Sequence, residues 1–202
     1  MRFSPPAPFS TTSLSRGQMA SIARHLLDCG AVRFGDFTLT SGQKSRYYVD
    51  VKAAMTHPAT LRAIAKAMTE QARAAGPFDA VAGMELGAVP IATAVSLEAD
   101  LPLCIVRKGE RAHGTGRRIE GEAAGKRVFV VEDVTTSGGS TLEAVRVLRD
   151  AGATVTHAAV VVDREAGAVG KLAELGVQLQ PLVSVSQLLA TPEAKAALEA
   201  VS

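Results

Sequence analysis

Abundant cysteine, a dominant charge and long apolar runs are all missing from this sequence, and each absence removes a class of protein. Cys29 and Cys104 are the whole cysteine complement, too few for a disulfide framework and without a second pair or a histidine cluster at metal-ligand spacing. Both read as ordinary thiols of a reducing compartment. The 22 basic and 20 acidic residues leave a formal charge of +2, far from the surplus of a general nucleic-acid binder. No nucleic-acid partner is expected, and any basic function has to be local. No stretch approaches the roughly 18 uninterrupted apolar residues of a membrane span, so no membrane partner is expected. The opening MRFSPPAPFSTTSLSRG has three prolines and lacks the continuous apolar segment of a signal peptide. A soluble, cytoplasmic protein is expected, with residues 1–17 as a loose N-terminal tail.

What is present is a core. A chain of 202 residues with 47% hydrophobic composition suits one α/β domain over residues 18–202. Met19, Ile22, Ala23, Leu26 and Leu27 recur at helical spacing from Gln18 to Cys29, and Gly30 supplies a stop. Next, GDFTLTSGQKSRYYVDVK alternates apolar and polar residues on both sides of the turn signal Ser41-Gly42, which predicts a hairpin outside the main sheet. A second amphipathic helix follows Pro58. From Ala80 onward, short apolar strands alternate with helices: GMELGAVPIATAVSLEADLPLCIV, RVFVVED, Ser140 to Ala151, TVTHAAVVVD, VGKLAELG and VQL. That rhythm predicts parallel strands buried on both faces. One stretch breaks it. Residues 107–126, RKGERAHGTGRRIEGEAAGK, form a long polar segment rich in glycine and basic residues, with no periodicity, as expected of a functional loop or a disordered one.

The chemistry concentrates in VFVVEDVTTSGGST, residues 128–141. In an open parallel sheet, ligands bind outside the carboxyl ends of strands, where Glu132 and Asp133 fall if Val128 to Val131 is the strand. The small, hydroxylated residues after them lead into a helix, and their backbone N–H groups can curl round an anion. The guest suggested by that turn is a phosphate. The two acids would repel it, so they must face hydroxyls of a sugar or a metal bound to them. A solvated acidic strand end before a capped helix is the competing reading. The Walker pattern G-x-x-x-x-G-K-[ST] is missing, and GTGRRIEG has the wrong spacing for G-x-G-x-x-G. Neither an ordinary NTPase nor a dinucleotide dehydrogenase is favoured.

VVEDVTTSGGST resembles the phosphoribosyl-pyrophosphate (PRPP) motif of the type I phosphoribosyltransferases. FTLTSGQKSRYYVDVK, GMELGAVPIA, RKGERAHGTG and VVDREAG resemble the orotate phosphoribosyltransferase branch in particular, and in this order they span residues 37–167. The resemblance implies a parallel-sheet type I phosphoribosyltransferase fold flanked by helices, with a small N-terminal hood from about residues 18–55 and the C-terminal segment. It also implies transfer of the phosphoribosyl group of PRPP to orotate in pyrimidine biosynthesis. Magnesium would be held mainly by PRPP, aided by Glu132 and Asp133. A homodimer sharing the 107–121 loop across subunits is implied as well.

Carried over residue by residue, Glu132 and Asp133 would hold the ribose hydroxyls. Thr135, Thr136, Ser137, Gly138, Gly139 and Ser140 would cradle the 5′-phosphate, and Glu85, Leu86 and Gly87 would form the pyrophosphate loop. Arg107, Lys108, Arg111 and His113 match the basic positions of the family's mobile loop. Arg111 stands where the family usually has lysine. It keeps the charge but is a poor proton donor, which leaves His113 or Lys108 as proton handlers. Arg164 would bind the orotate carboxylate by paired hydrogen bonds, with Thr136 beside it. Thr40 replaces a substrate-touching lysine of many bacterial members; Lys44 or Lys52 is the nearby substitute, and Lys44 is the one assigned to orotate. Tyr47 and Tyr48 either wall the base pocket or pack the hood. A purine phosphoribosyltransferase and a non-catalytic PRPP-sensing regulator are the rival readings.

Overall fold

The computed structural model describes residues 14–38, 42, 44–109 and 118–201; Thr40, Arg111 and His113 lie outside them. Helix α1 (Arg16–Asp28) starts two residues before the apolar periodicity does. Ser15 Oγ accepts from Gln18 N while Gln18 Oε1 accepts from Ser15 N, a reciprocal capping box that satisfies two otherwise orphaned donors. Leu14 is buried, so Leu14 to Gly17 belong with the folded part and not with the N-terminal tail.

Strands β1 (Val32–Thr38) and β2 (Lys44–Val49) pair antiparallel as a separate two-stranded sheet. Their register shifts between Phe34 and Phe37, at Gly35, whose φ of 151° suits glycine. Short helix α2 (Val51–Met55) follows, N-capped by Asp50, and then α3 (Pro58–Ala75).

The remaining elements build the main sheet: β3 (Ala80–Met84), α4 (Val89–Ala99), β4 (Leu103–Val106), β5 (Ile119–Glu120), β6 (Val128–Thr135), α5 (Gly139–Asp150), β7 (His157–Asp163), α6 (Ala168–Glu174) and β8 (Gln178–Ser184). The strand order is β5-β4-β3-β6-β7-β8, and every pairing is parallel except β4 with β5. Side chains alternate between two cores. Val81, Phe129, Val131, Ala159 and Val161 meet α1, α3 and α4 on one face, while Ala82, Val128, Val130, Ala158 and Val160 meet α5 and α6 on the other. That two-sided burial explains the continuous apolar strands. The chain ends in α7 (Val185–Leu189) and α8 (Pro192–Ala200), capped by Ser184 and Thr191. Arg46 Nη2 of β2 donates to Leu198 O of α8 at 3.1 Å, tying the hairpin to the C-terminal helix.

From β3 the sheet grows outward through β4 on one side and through β6 on the other. The carboxyl ends of β3 and β6 therefore flank the topological switch point, where an open α/β sheet leaves a crevice.

Candidate active site

The expected strand Val128 to Val131 is longer than its sequence suggested. Its pairing with β3 stops at Gly83↔Val131, but pairing with β7 runs on through Thr135↔Asp163. Glu132 and Asp133 thus overhang the end of β3 while still anchored on the other side. Both are buried, at 5% and 7% exposure.

Their carboxylates are held locally. Glu132 accepts from Asp133 N at 3.2 Å and from Thr141 Oγ1 at 3.4 Å, and Asp133 Oδ1 accepts from Val134 N at 2.8 Å. Burial above all, and then the adjacent Asp133 carboxyl, push the Glu132 carboxyl far above its ordinary range, to about 8. Across the crevice lies the β3–α4 turn. A methyl group at Gly87 would stand 2.3 Å from Asp133 Oδ2, so only glycine lets the turn approach the carboxylate this closely. The Glu85–Leu86 peptide bond in the same turn is cis.

After Thr135 the chain bends through exposed Thr136 and Ser137 to Gly138, whose φ is 84°, and enters α5. No side chain caps this helix. Its first N–H groups are left for a guest, in a loop of small residues, as an anion cradle requires.

Two adjoining cavities meet at the acids. One, of about 370 Å³, is lined by Lys52, Glu85, Leu86, Gly87, Lys108, Glu132, Asp133 and Ser140. The other, of about 360 Å³, is lined by Thr38, Tyr48, Asp50, Lys52, Asp133, Thr136 and Arg164. Arg164 is placed by its own backbone, its N donating to Thr135 O at 2.9 Å. The loop behind it is clasped twice: Asp163 Oδ1 accepts from Glu165 N at 2.9 Å, and Glu165 accepts from Ser186 N at 3.0 Å and from the Ser186 hydroxyl. Those Ser186 bonds hold the Glu165 carboxyl below its usual range.

The described basic residues separate by what they touch. Lys108 lines the first cavity and Arg164 the second. Arg107 lines neither; its guanidinium pairs with Glu85 at 3.6 Å and Glu120 at 3.4 Å. Glu85 also accepts from Lys108 N at 2.8 Å, so this carboxylate fastens the root of the 107–121 loop as well as facing the cavity. Arg118, at the loop's far end, donates to Arg107 O at 3.0 Å and pairs with Glu143 of α5. Lys44 lines neither cavity and donates instead to Thr38 Oγ1 at 2.8 Å. The residue that sequence reasoning underrated is Lys52, which lines both. Tyr48 walls the second cavity, stacked 5.7 Å from Phe37, whereas Tyr47, on the opposite face of the strand, lines neither. Cys104 is buried, and burial raises its thiol above the ordinary range.

Among the described residues no three or more His, Cys, Asp or Glu side chains form a group that could hold a metal, and no helix is long and apolar enough to cross a membrane. Glu132 and Asp133 nonetheless supply two hard oxygen donors beside the uncapped start of α5. Magnesium is commonly bound by one or two carboxylates together with substrate phosphates, so the residues fit an ion that arrives with the substrate.

A crevice at the switch point, with an acidic pair at the strand end, a glycine turn opposite and a loop of small hydroxylated residues leading into an uncapped helix, is the layout of a phosphoribosyltransferase. Residues 50–175 match the family described as phosphoribosyl transferase domain. The chain is 53% identical over 169 residues to an orotate phosphoribosyltransferase of Pyrococcus furiosus, covering 83% of this chain and 93% of that one. Its fold is similar to that of Mycobacterium tuberculosis orotate phosphoribosyltransferase, with a TM-score of 0.75, 37% identity, and coverage of 85% and 98% of the two chains. A structure of the same mycobacterial enzyme in complex with PRPP is similar at a TM-score of 0.70 and 34% identity, again over 85% and 98% of the chains. The chain belongs to the orotate phosphoribosyltransferase family.

Proposed function

We propose that the protein transfers the phosphoribosyl group of PRPP to a ring nitrogen of orotate, giving orotidine 5′-monophosphate and pyrophosphate. The observation that carries this is the pair of cavities joined at Asp133, one lined by Glu132, Glu85, Lys108 and Ser140, the other by Thr136 and the Arg164 guanidinium. The 5′-phosphate sits on the loop Thr135 to Ser140, against the uncapped start of α5. Glu132 and Asp133 accept from the ribose hydroxyls. The turn Glu85 to Gly87 and Lys108 face the pyrophosphate, and Arg164, with Thr136, receives orotate. Arg111 and His113 join from the 107–121 loop in the role their motif implies.

Transfer at the anomeric carbon passes through an oxocarbenium-like state, so catalysis is chiefly positioning and charge stabilisation. Asp133, at the junction of the cavities, places a carboxylate near the carbon that becomes positive. Magnesium carried in with PRPP would be held with the help of Glu132 and Asp133 and would supply positive charge against the pyrophosphate. The reading extends to a homodimer, supported by α4. This helix leaves Leu97 80% exposed beside Thr93, and Leu86 in the preceding turn is 77% exposed. Such a face calls for a cover.

The test is an orotate-consumption assay with PRPP and magnesium, run beside adenine, hypoxanthine and uracil. Turnover of orotate alone is expected. Arg164→Met should raise the orotate KM by roughly 10- to 100-fold, as loss of a bidentate charged contact does, while leaving PRPP binding in place. Turnover of a purine in place of orotate would refute the assignment.

A further inference from the structure

Three residues, Lys52, Asp133 and Val134, are common to the two cavities, and Lys52 is the one cation among them. Its position is fixed by the fold. Asp50 N donates to Ala31 O at 2.7 Å, anchoring the end of the hairpin to the core, and the Asp50 carboxylate accepts from Lys52 N at 3.2 Å. Val51 and Ala54 of α2 are fully buried, so the exposed Lys52 is turned outward, over the crevice. Its side chain has neither an ion pair nor a hydrogen bond among the described residues, whereas Arg107, Arg118 and Lys44 are each engaged by protein groups. Asp133, the other charged residue common to both cavities among the described residues, has the sign that would repel both anionic substrates. Charge balance favours a cation there, and among the described residues Lys52 is the cation common to both cavities, between Arg164 of one and Lys108 of the other.

We propose that Lys52 is a shared substrate-contacting residue, its ammonium group placed where orotate, the anomeric carbon and the departing pyrophosphate meet. The inference rests on the function proposed above. In the transfer, the lone pair of orotate N1 makes the new N1–C1 bond while the C1–O bond breaks, its electron pair leaving on pyrophosphate. The N1 proton ends on the pyrophosphate. Lys52 needs to exchange no proton: it offsets the negative charge that gathers on the leaving oxygen and helps hold the anionic base beside it, an electrostatic role. With Thr40 where many bacterial members carry a substrate-touching lysine, Lys52 supplies the charge from the other end of β2.

The experiment compares wild type, Lys52→Met, Lys52→Arg and the control Lys66→Met, whose side chain on α3 lies outside both cavities. Steady-state kinetics are measured in each substrate, PRPP and orotate affinities by calorimetry, and melting temperature in parallel. Lys52→Met is expected to lose about 100-fold in kcat/KM and to bind both substrates more weakly, with Lys52→Arg recovering part of the loss. Lys52 is exposed, so all variants should melt with the wild type. An active wild type with Lys52→Met within twofold of it overturns the assignment. A loss confined to one substrate overturns the sharing. A wild type that binds PRPP but turns over no orotate sinks the proposed function itself and takes the inference with it.

Discussion

Replacing Gly87 by alanine tests whether the close approach of the β3–α4 turn to Asp133 serves the chemistry or merely the packing. The added methyl would lie 2.3 Å from Asp133 Oδ2, 2.8 Å from Cγ and 3.1 Å from Oδ1. Carbon and oxygen do not settle inside 3.0 Å, so the carboxylate has to retreat by roughly 0.7 Å or more, or the turn has to lift. The side chain is the group that yields, because β6 is locked to β7 on its far side. Rotation would strain or break the 2.8 Å bond from Val134 N to Oδ1, which costs on the order of 1 kcal/mol. In a chain of this length that is a drop of roughly 2–4 °C in Tm. The kinetic effect should be far larger in proportion, since displacements approaching 1 Å in a reacting constellation cost about 100-fold. Thermal melting and kcat/KM for orotate and PRPP are measured on the same preparation. A variant that melts a few degrees lower and keeps its full rate would refute the argument, because Asp133 would then have no positional role in transfer.

Gly83→Ala makes the opposite prediction: its methyl would meet Ala88 O at 2.8 Å and the Ala92 methyl at 2.9 Å, inside the strand–helix interface. Overpacking there is expected to remove about 1–3 kcal/mol of stability, read as a lowered urea midpoint. For Glu132→Gln the sign comes from the carboxyl raised from 4.5 to about 8. The folded protein keeps a proton that the unfolded chain releases, so wild-type stability falls as pH rises through that window, and the variant, free of this slope, gains on it most at pH 8 and above. Parallel melting curves for the two proteins between pH 4.5 and 9 would contradict that reading.

The parts of the fold carried by local pattern were legible in the sequence. Continuous apolar strands separated by amphipathic helices announced a parallel sheet, and the acidic pair before a Thr/Gly-rich turn lies where β6 overhangs the crevice. The extent of β8 was hidden by Pro181, which reads as a strand breaker. Pro181 is paired with Val160 in an edge strand, where a missing N–H can face outward without breaking a ladder. Strand β5 has two residues, too few to carry a period inside a polar segment. Long-range pairings were equally silent: nothing local tells that Glu85 takes up Arg107 and the Lys108 N–H. Lys44 and Lys52 were equivalent as letters near a hairpin. Only the fold separates them, turning one onto Thr38 and the other over the crevice.

The same geometry explains why the acids can be both buried and available. Where β3 stops, β6 loses its neighbour on one side for the residues after Val131, and a strand edge left in the interior carries backbone donors in need of partners. The acids supply two of them, Glu132 to Asp133 N and Asp133 to Val134 N. Each of these bonds holds a carboxylate in place while leaving lone pairs unused, and those face the cavities. An aliphatic pair at these positions would pack as well but would leave both N–H groups without their carboxylate partners, so the fold itself favours oxygen acceptors at the switch point. On the function proposed, a ligand rich in hydroxyl donors would complete what the strand end has begun, at the cavity that Asp133, Lys52 and Gly87 line together.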